Sequence, residues 1–267
     1  MNNDTSIHSG FPLFDALTNG LHKSELITIA GGSGMGKTTF MLSLANNISK
    51  LANKNVLIVT MEWTSHILVK LLTRDEMLAQ KFRDLYMPSI DEVVDNPLFN
   101  NIFIDDTGCP TPTQLRQRII DIINHVQIDV VLIDYIQLID GREFNQTDRE
   151  REDICDCIFL KHLAAEISLP IVVLYHIGGL HNSVAEYTRS PRLSDIPIEI
   201  VGYSNVLGII YRPLLCDDLR SEDFSNDPIF LHLWRNAHGY VGSVTFAFDK
   251  QTSLYVEHNN DINNNQR

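Results

Sequence analysis

The sequence predicts an α/β fold: a mainly parallel central sheet flanked by helices, with an antiparallel β extension toward the C-terminus. Three observations carry this. Short all-apolar runs alternate with segments of helical periodicity, the pattern of parallel strands buried on both faces. Residues 31–38 read Gly-Gly-Ser-Gly-Met-Gly-Lys-Thr, a glycine loop between a strand-like and a helix-like run. After residue 226 the helical segments stop and three strand-like runs succeed one another.

Residues 1–20 hold no long element. Glu25 to Ala30 is the first strand and Thr38 to Lys50 the helix after the glycine loop. Val56 to Met61 is a buried strand ending at Glu62. Residues 64–98 read as broken helix, punctuated by Pro88 and Pro97. Ile102-Phe103-Ile104 is the third strand. Pro112 then opens a helix in which Leu115, Ile119, Ile122, Ile123 and Val126 recur at helical spacing. Val130 to Ile133 runs into Asp134, residues 148–168 form a helix, Ile171 to Tyr175 runs into His176, and Val206 to Tyr211 is a sixth strand. Ile229 to Trp234, Ser243 to Phe248 and Ser253 to Val256 build the extension, with Gly239 and Gly242 among them. The expected organisation is one domain over residues 1–258 and a disordered polar tail over 259–267.

Composition narrows the setting. The chain is 44% apolar, as a globular core requires. Its four cysteines, Cys109, Cys155, Cys157 and Cys216, form no disulfide framework, so a reducing cytoplasm is expected. Cys155 and Cys157, two apart in a helical stretch, face different ways and make a poor metal pair. The polar start, Met-Asn-Asn-Asp-Thr, holds no secretion signal, and no apolar run reaches the roughly 18 residues of a membrane span. The net charge is −13. A uniformly acidic surface repels nucleic acid, so such a ligand requires a local basic groove.

The octamer at 31–38 has the spacing of a phosphate-binding P-loop. Gly31, Gly32, Ser33, Gly34, Met35 and Gly36 let consecutive backbone N–H groups point at an anion. Lys37 would reach the β- and γ-phosphates of ATP and Thr38 the Mg2+ ion, with Thr39 and Gln137 completing the expected nucleotide-binding set. Asp134, after four apolar residues, has the Walker B arrangement and would hold the magnesium shell; a turn-capping aspartate is the plainer alternative. Glu62 could polarise the water that attacks the γ-phosphate, although a surface glutamate at a strand end is commonplace. His176 could feel the γ-phosphate and relay its loss, or be a hydrogen-bonded histidine without that duty.

Taken together these residues resemble the C-terminal motor domain of DnaB-type replicative helicases. The likeness begins at Ser9-Gly10-Phe11-Pro12-Leu13-Phe14-Asp15-Ala16-Leu17-Thr18-Asn19-Gly20-Leu21. It continues through the P-loop, the strand ending at Glu62, and Leu132-Ile133-Asp134-Tyr135-Ile136-Gln137-Leu138. Leu160 to Glu166, Leu193-Ser194-Asp195, and Arg235-Asn236 followed by Gly242-Ser243-Val244-Thr245 extend it to roughly residues 9–257. The resemblance implies a RecA-like P-loop NTPase fold, with Glu62 as catalytic carboxylate and Asp134 as Walker B acid. It implies that Arg235 is an arginine finger reaching a neighbouring subunit's ATP. It also implies that segments 139–147 and 177–192, with Arg142, Arg189 and Arg192, line a channel for single-stranded DNA. For those arginines, solvated loop charge is the alternative.

The chain departs from the family at several points. It shows no counterpart of the helical N-terminal domain and linker helix, so a stand-alone motor domain is expected. His176 stands where the family commonly has Gln, and Leu233 where it has Lys two residues before the finger. Ile196-Pro197-Ile198-Glu199 replaces an Arg-Glu-Ser-Gly stretch, and the hairpin turn through Ala237 to Val241 is longer. The expectation is a Mg·ATP-dependent helicase or translocase that assembles head to tail, as a hexameric ring or a filament, on single-stranded DNA. The alternative is a non-unwinding ATPase switch that assembles on DNA or a protein partner. No membrane role is expected.

Overall fold

The computed structural model describes residues 6–82, 89–95, 97–98, 101–106, 108–140, 149–178, 191–213 and 228–258. Strand β1 (Leu26–Gly31) leads through the glycine loop into α2 (Lys37–Leu51), after a short α1 (Pro12–Thr18). Then come β2 (Val56–Thr60), α3 (Ser65–Thr73), α4 (Glu76–Gln80), α5 (Ile90–Asp95) and β3 (Ile102–Asp105). Helix α6 (Pro112–His125), β4 (Val130–Asp134), α7 (Arg149–Ile167), β5 (Ile171–His176), α8 (Ile198–Tyr203) and β6 (Val206–Tyr211) complete the α/β part. Strands β7 (Ile229–Asn236), β8 (Ser243–Asp249) and β9 (Leu254–Glu257) come last.

These strands form one sheet in the order β3-β2-β4-β5-β1-β6-β7-β8-β9. The pairs among β1 to β6 are parallel; β6–β7, β7–β8 and β8–β9 are antiparallel. Strands β1 to β4 are buried along their whole length, because helices cover both faces. One apolar cluster gathers Phe40, Leu44 and Ile48 of α2 against Ile27, Ile29, Ile58 and Leu132; the other gathers Leu115, Ile119, Leu160 and Leu163 of α6 and α7 against Leu57, Val131 and Val173.

The expected fold class stands. Helix α6 opens with Pro112 at its first turn and a full capping box between Thr111 and Gln114. Cys157 is buried and Cys155 half-buried, as the spacing predicted. Strand ends differ by a residue or two from expectation. The six-residue α8 was not foreseen: Pro197 precedes it, and two turns carry too little periodicity to be read. No helix among the described residues is long and apolar enough to cross a membrane. The predicted tail at 259–267 lies outside the described residues.

The antiparallel strands are welded to the P-loop helix by aromatic rings. Phe11 stacks on Phe40 of α2 at 5.7 Å and meets Phe246 of β8 edge-on at 4.9 Å; Phe40 and Phe246 stand 5.6 Å apart. The Phe11-Pro12-Leu13-Phe14 segment is therefore a wedge between the first helix after the glycine loop and the extension.

Candidate nucleotide site

Parallel sheets bind ligands at the carboxyl ends of their strands, and Lys37, Thr38, Glu62, Asp134 and His176 gather there. Register puts Gly31 of β1 beside His176 of β5, and Thr60 of β2 beside Asp134 of β4. Between them opens a cavity of about 470 Å3 lined by Ser33, Gly34, Gly36, Lys37, Thr38, Thr39, Glu62, Trp63, Tyr135 and His176. Gly36, the N-cap of α2, has φ +92°, a conformation that favours glycine. A Cβ there would also lie 1.8 Å from Tyr255 Oη, so both backbone and neighbour exclude a side chain.

Lys37 Nζ donates to the carbonyl oxygens of Gly31, at 3.0 Å, and Gly32, at 2.8 Å. Burial pulls its pKa below the usual lysine value, opposed by the negative charges of Asp134 and Glu62. Thr38 Oγ1 donates to Asp134 Oδ2 at 2.9 Å. Burial pushes the Asp134 pKa up to about 6, with Glu62 adding to the rise and the Thr38 bond and Lys37 opposing it. Asp134 Oδ1 is buried without a hydrogen-bond partner. A hydroxyl bonded to one carboxylate oxygen, and a second oxygen left over, is a donor set that fits a hard divalent cation. Thr38 and Asp134 could therefore hold Mg2+, with an ammonium and a run of backbone amides beside them for phosphates.

Glu62 is exposed at the cavity mouth, and its charge is felt by both Lys37 and Asp134. His176 lines the same cavity. Gln137 does not: its Nε2 donates to the His176 carbonyl oxygen at 2.8 Å, and its Oε1 accepts from the His176 N–H at 3.1 Å. It borders a neighbouring cavity of about 370 Å3 that shares Tyr135 and His176. Gln137 thus fixes the backbone of His176. Met35 is buried.

Arg235 lies away from this cavity, exposed on β7. Pairing along β7 passes from Gly208↔Leu233 to Leu207↔Arg235, which leaves Trp234 as an extra, bulged residue. A bulge shifts the alternation by one and re-aims the residues beyond it. Leu233 stays in the core with Leu231, whereas Arg235 leaves that face. The leucine where the resemblance expected a lysine is therefore a core residue. Among the described residues Arg235 makes no ion pair. The hairpin tip is anchored elsewhere: Asn236 Nδ2 donates to Leu17 O at 2.8 Å, the His238 ring bonds Glu25 at 2.8 Å, and His22 stacks on His238 at 3.9 Å.

Of the predicted channel arginines, Arg192 is exposed just before a 3-10 turn (Leu193–Asp195), its N–H bonded to Asp195 at 2.7 Å. Arg142 and Arg189 lie outside the described residues. Sequence reasoning missed Trp63, Tyr135 and Tyr255. The first two adjoin Glu62 and Asp134, which was a usable signal. Tyr255 is half a fold away in sequence: its N–H bonds Ser43 Oγ at 2.7 Å across 212 positions, and nothing local announced it.

Comparison with known proteins finds relatives along most of the chain. The family model for the DnaB-like helicase C-terminal domain matches residues 6–257. A replicative DNA helicase DnaB of Geobacillus stearothermophilus is 29% identical over 263 residues, covering 94% of this chain and 56% of the relative. A Nostoc replicative helicase DnaB is 33% identical over 203 residues, covering 71% of this chain and 22% of the relative. The chain thus spans about half the length, or less, of these curated relatives. Among solved structures, a DnaB-like replicative helicase studied with primase superposes with a TM-score of 0.74 at 24% identity, covering 96% of this chain and 62% of that one. A second solved structure, an isolated ATPase domain, gives a TM-score of 0.75 at 22% identity, covering 96% of this chain and 92% of that one.

Proposed function

From a chain that belongs to the family of DnaB-like helicase C-terminal domains, we propose a Mg·ATP-hydrolysing motor domain that acts on single-stranded DNA as a head-to-tail oligomer. The convergence of Lys37, Thr38 and Glu62 on one 470 Å3 cavity, with Asp134 bonded to Thr38 just behind it, supports this reading most strongly. The loop amides and Lys37 bind the β- and γ-phosphates. In doing so Lys37 exchanges the Gly31 and Gly32 carbonyls for phosphate oxygens. Thr38 and Asp134 would hold Mg2+, which would supply positive charge against the phosphates. Glu62 takes a proton from water as its oxygen attacks the γ-phosphorus; the bond to the ADP oxygen breaks and inorganic phosphate leaves. Catalysis here is positioning and charge stabilisation more than covalent chemistry.

Arg235 cannot serve this cavity from its place on β7; we assign it to the cavity of a second copy. Such a contact joins two different surfaces, and repeated it closes a ring or continues as a filament. DNA would run past Arg192 and the segments 139–147 and 177–192, where local positive charge has to overcome the net −13.

A second reading has its own support. The position two residues before Arg235 holds the buried Leu233, so one of two expected trans cations is missing, and the acidity weakens DNA attraction. Both favour an ATPase switch that assembles on DNA or a protein partner without unwinding. ATP hydrolysis with and without single-stranded DNA, beside fork unwinding, at low and physiological salt, separates the two. Unwinding supports the motor, DNA-stimulated turnover without unwinding the switch, and turnover indifferent to DNA a protein partner. Glu62→Gln should keep ATP binding and lose hydrolysis; normal turnover in that variant would overturn the catalytic assignment.

A further inference from the structure

We propose that Thr60 is a positioning residue that holds Glu62 at the mouth of the nucleotide cavity. The inference rests on the reading of Glu62 as the catalytic carboxylate. A glutamate on an exposed loop end has rotamer freedom to contend with, and a general base works from within about 2.6–3.2 Å, heavy atom to heavy atom, of the group whose proton it takes, or through one water. The chain restrains its backbone from inside.

Thr60 is the last residue of β2 and is fully buried. Its Oγ1 accepts from the Trp63 N–H at 3.1 Å and donates to the Trp63 carbonyl at 3.0 Å. One hydroxyl therefore uses its donor and its acceptor on the same residue and closes the loop Thr60-Met61-Glu62-Trp63. The loop is tied on both sides. Met61 N–H bonds the carbonyl of Asp134 at 2.9 Å, fastening Glu62 to the strand that carries the acid it works beside. Downstream, Asp106 Oδ2 accepts from the Ser65 N–H at 2.7 Å, and both residues are buried. Trp63 itself lines the cavity and packs on the core.

No apolar side chain can make the Thr60 clasp. Valine has the same shape but would leave the Trp63 N–H and C=O unpaired and the loop free to widen. Serine keeps the hydroxyl. The phosphate-holding groups sit on another element, α2 and its loop, so loosening the clasp should spare nucleotide affinity. Misplacing a catalytic group by about 1 Å costs on the order of 10²-fold in rate.

The test compares Thr60→Val, Thr60→Ala, Thr60→Ser and Glu62→Gln in steady-state ATP hydrolysis, binding of a fluorescent ATP analogue, and thermal melting. Thr60→Val and Thr60→Ala should lower kcat by roughly 10–10²-fold while KM and analogue affinity stay near wild type, and Thr60→Ser should restore most of kcat. Thr60→Val placed on Glu62→Gln should add no further loss, because residues acting as a unit are not additive. If Thr60→Val does not fold, Thr60→Ala and Thr60→Ser carry the comparison. Wild-type kcat in the variants lacking the hydroxyl, equal loss in Thr60→Ser, or additive loss on Glu62→Gln would each overturn the clasp. Normal turnover in Glu62→Gln would instead overturn the reading on which it stands.

Discussion

Strands β1 to β6 and strands β7 to β9 share one sheet, yet the two parts offer their polar groups in opposite ways. At the carboxyl ends of the parallel strands, Lys37, Thr38 and Asp134 are half-buried or buried and already bonded to the chain's own atoms. On the antiparallel part Arg235 is exposed, and near it Trp234 is 45%, Tyr240 89% and Val241 58% exposed. The first region gathers its polar groups within one chain. The second is rigidly built through the phenylalanine cluster and the Asn236–Leu17 bond but reaches outward. The proposed function divides binding and activation between these regions, and the division can be tested.

The largest effect should come from Arg235→Ala. If its charge completes another copy's cavity, turnover falls by about 10³-fold or more, roughly 4 kcal/mol of barrier. Nucleotide binding by a single subunit and the melting temperature should stay as in wild type. Turnover near wild type would break the division. Next comes the weld. Phe246→Ala should cost about 3–5 kcal/mol of stability in denaturant unfolding, whereas Trp234→Ala should stay within about 0.5 kcal/mol. Equal costs would show that the extension is not built as the packing implies.

A smaller effect sharpens the binding half. The Asp134 carboxyl is raised from its ordinary value of 3.8 to about 6, so between those values the folded state keeps a proton that the unfolded chain has released. Without metal, this group's contribution is therefore full at low pH and declines as pH rises through that window. Melting temperature against pH should be flatter above pH 4 in Asp134→Asn than in wild type, with a difference that Mg·ATP reduces. The mildest expectation is Tyr255→Phe, which removes the hydroxyl bonded to the Thr39 side chain. It should lower stability by about 1 kcal/mol, read by thermal shift.

Legibility in the sequence tracks how local each cause is. The buried parallel strands announce themselves as apolar runs, and the glycine loop with Asp134 and Glu62 by position at strand ends. Arg235 was legible only through resemblance, since its exposure depends on a bulge that the letters Leu-Trp-Arg do not reveal. Gln137 was legible as a motif neighbour of Asp134, but the bonds of its amide to the His176 backbone were not. The Thr60 clasp and the Tyr255 contact were invisible because each depends on where a strand end or a distant strand arrives in space.

The closeness of Tyr255 to the bend at Gly36 bears on how the molecule is born. A ribosome delivers the glycine loop early and β9 late, so during synthesis the loop waits without the wall that later presses on it. Until β9 docks on α2, the bend at Gly36 lacks the Tyr255 ring that closes on it in the folded chain.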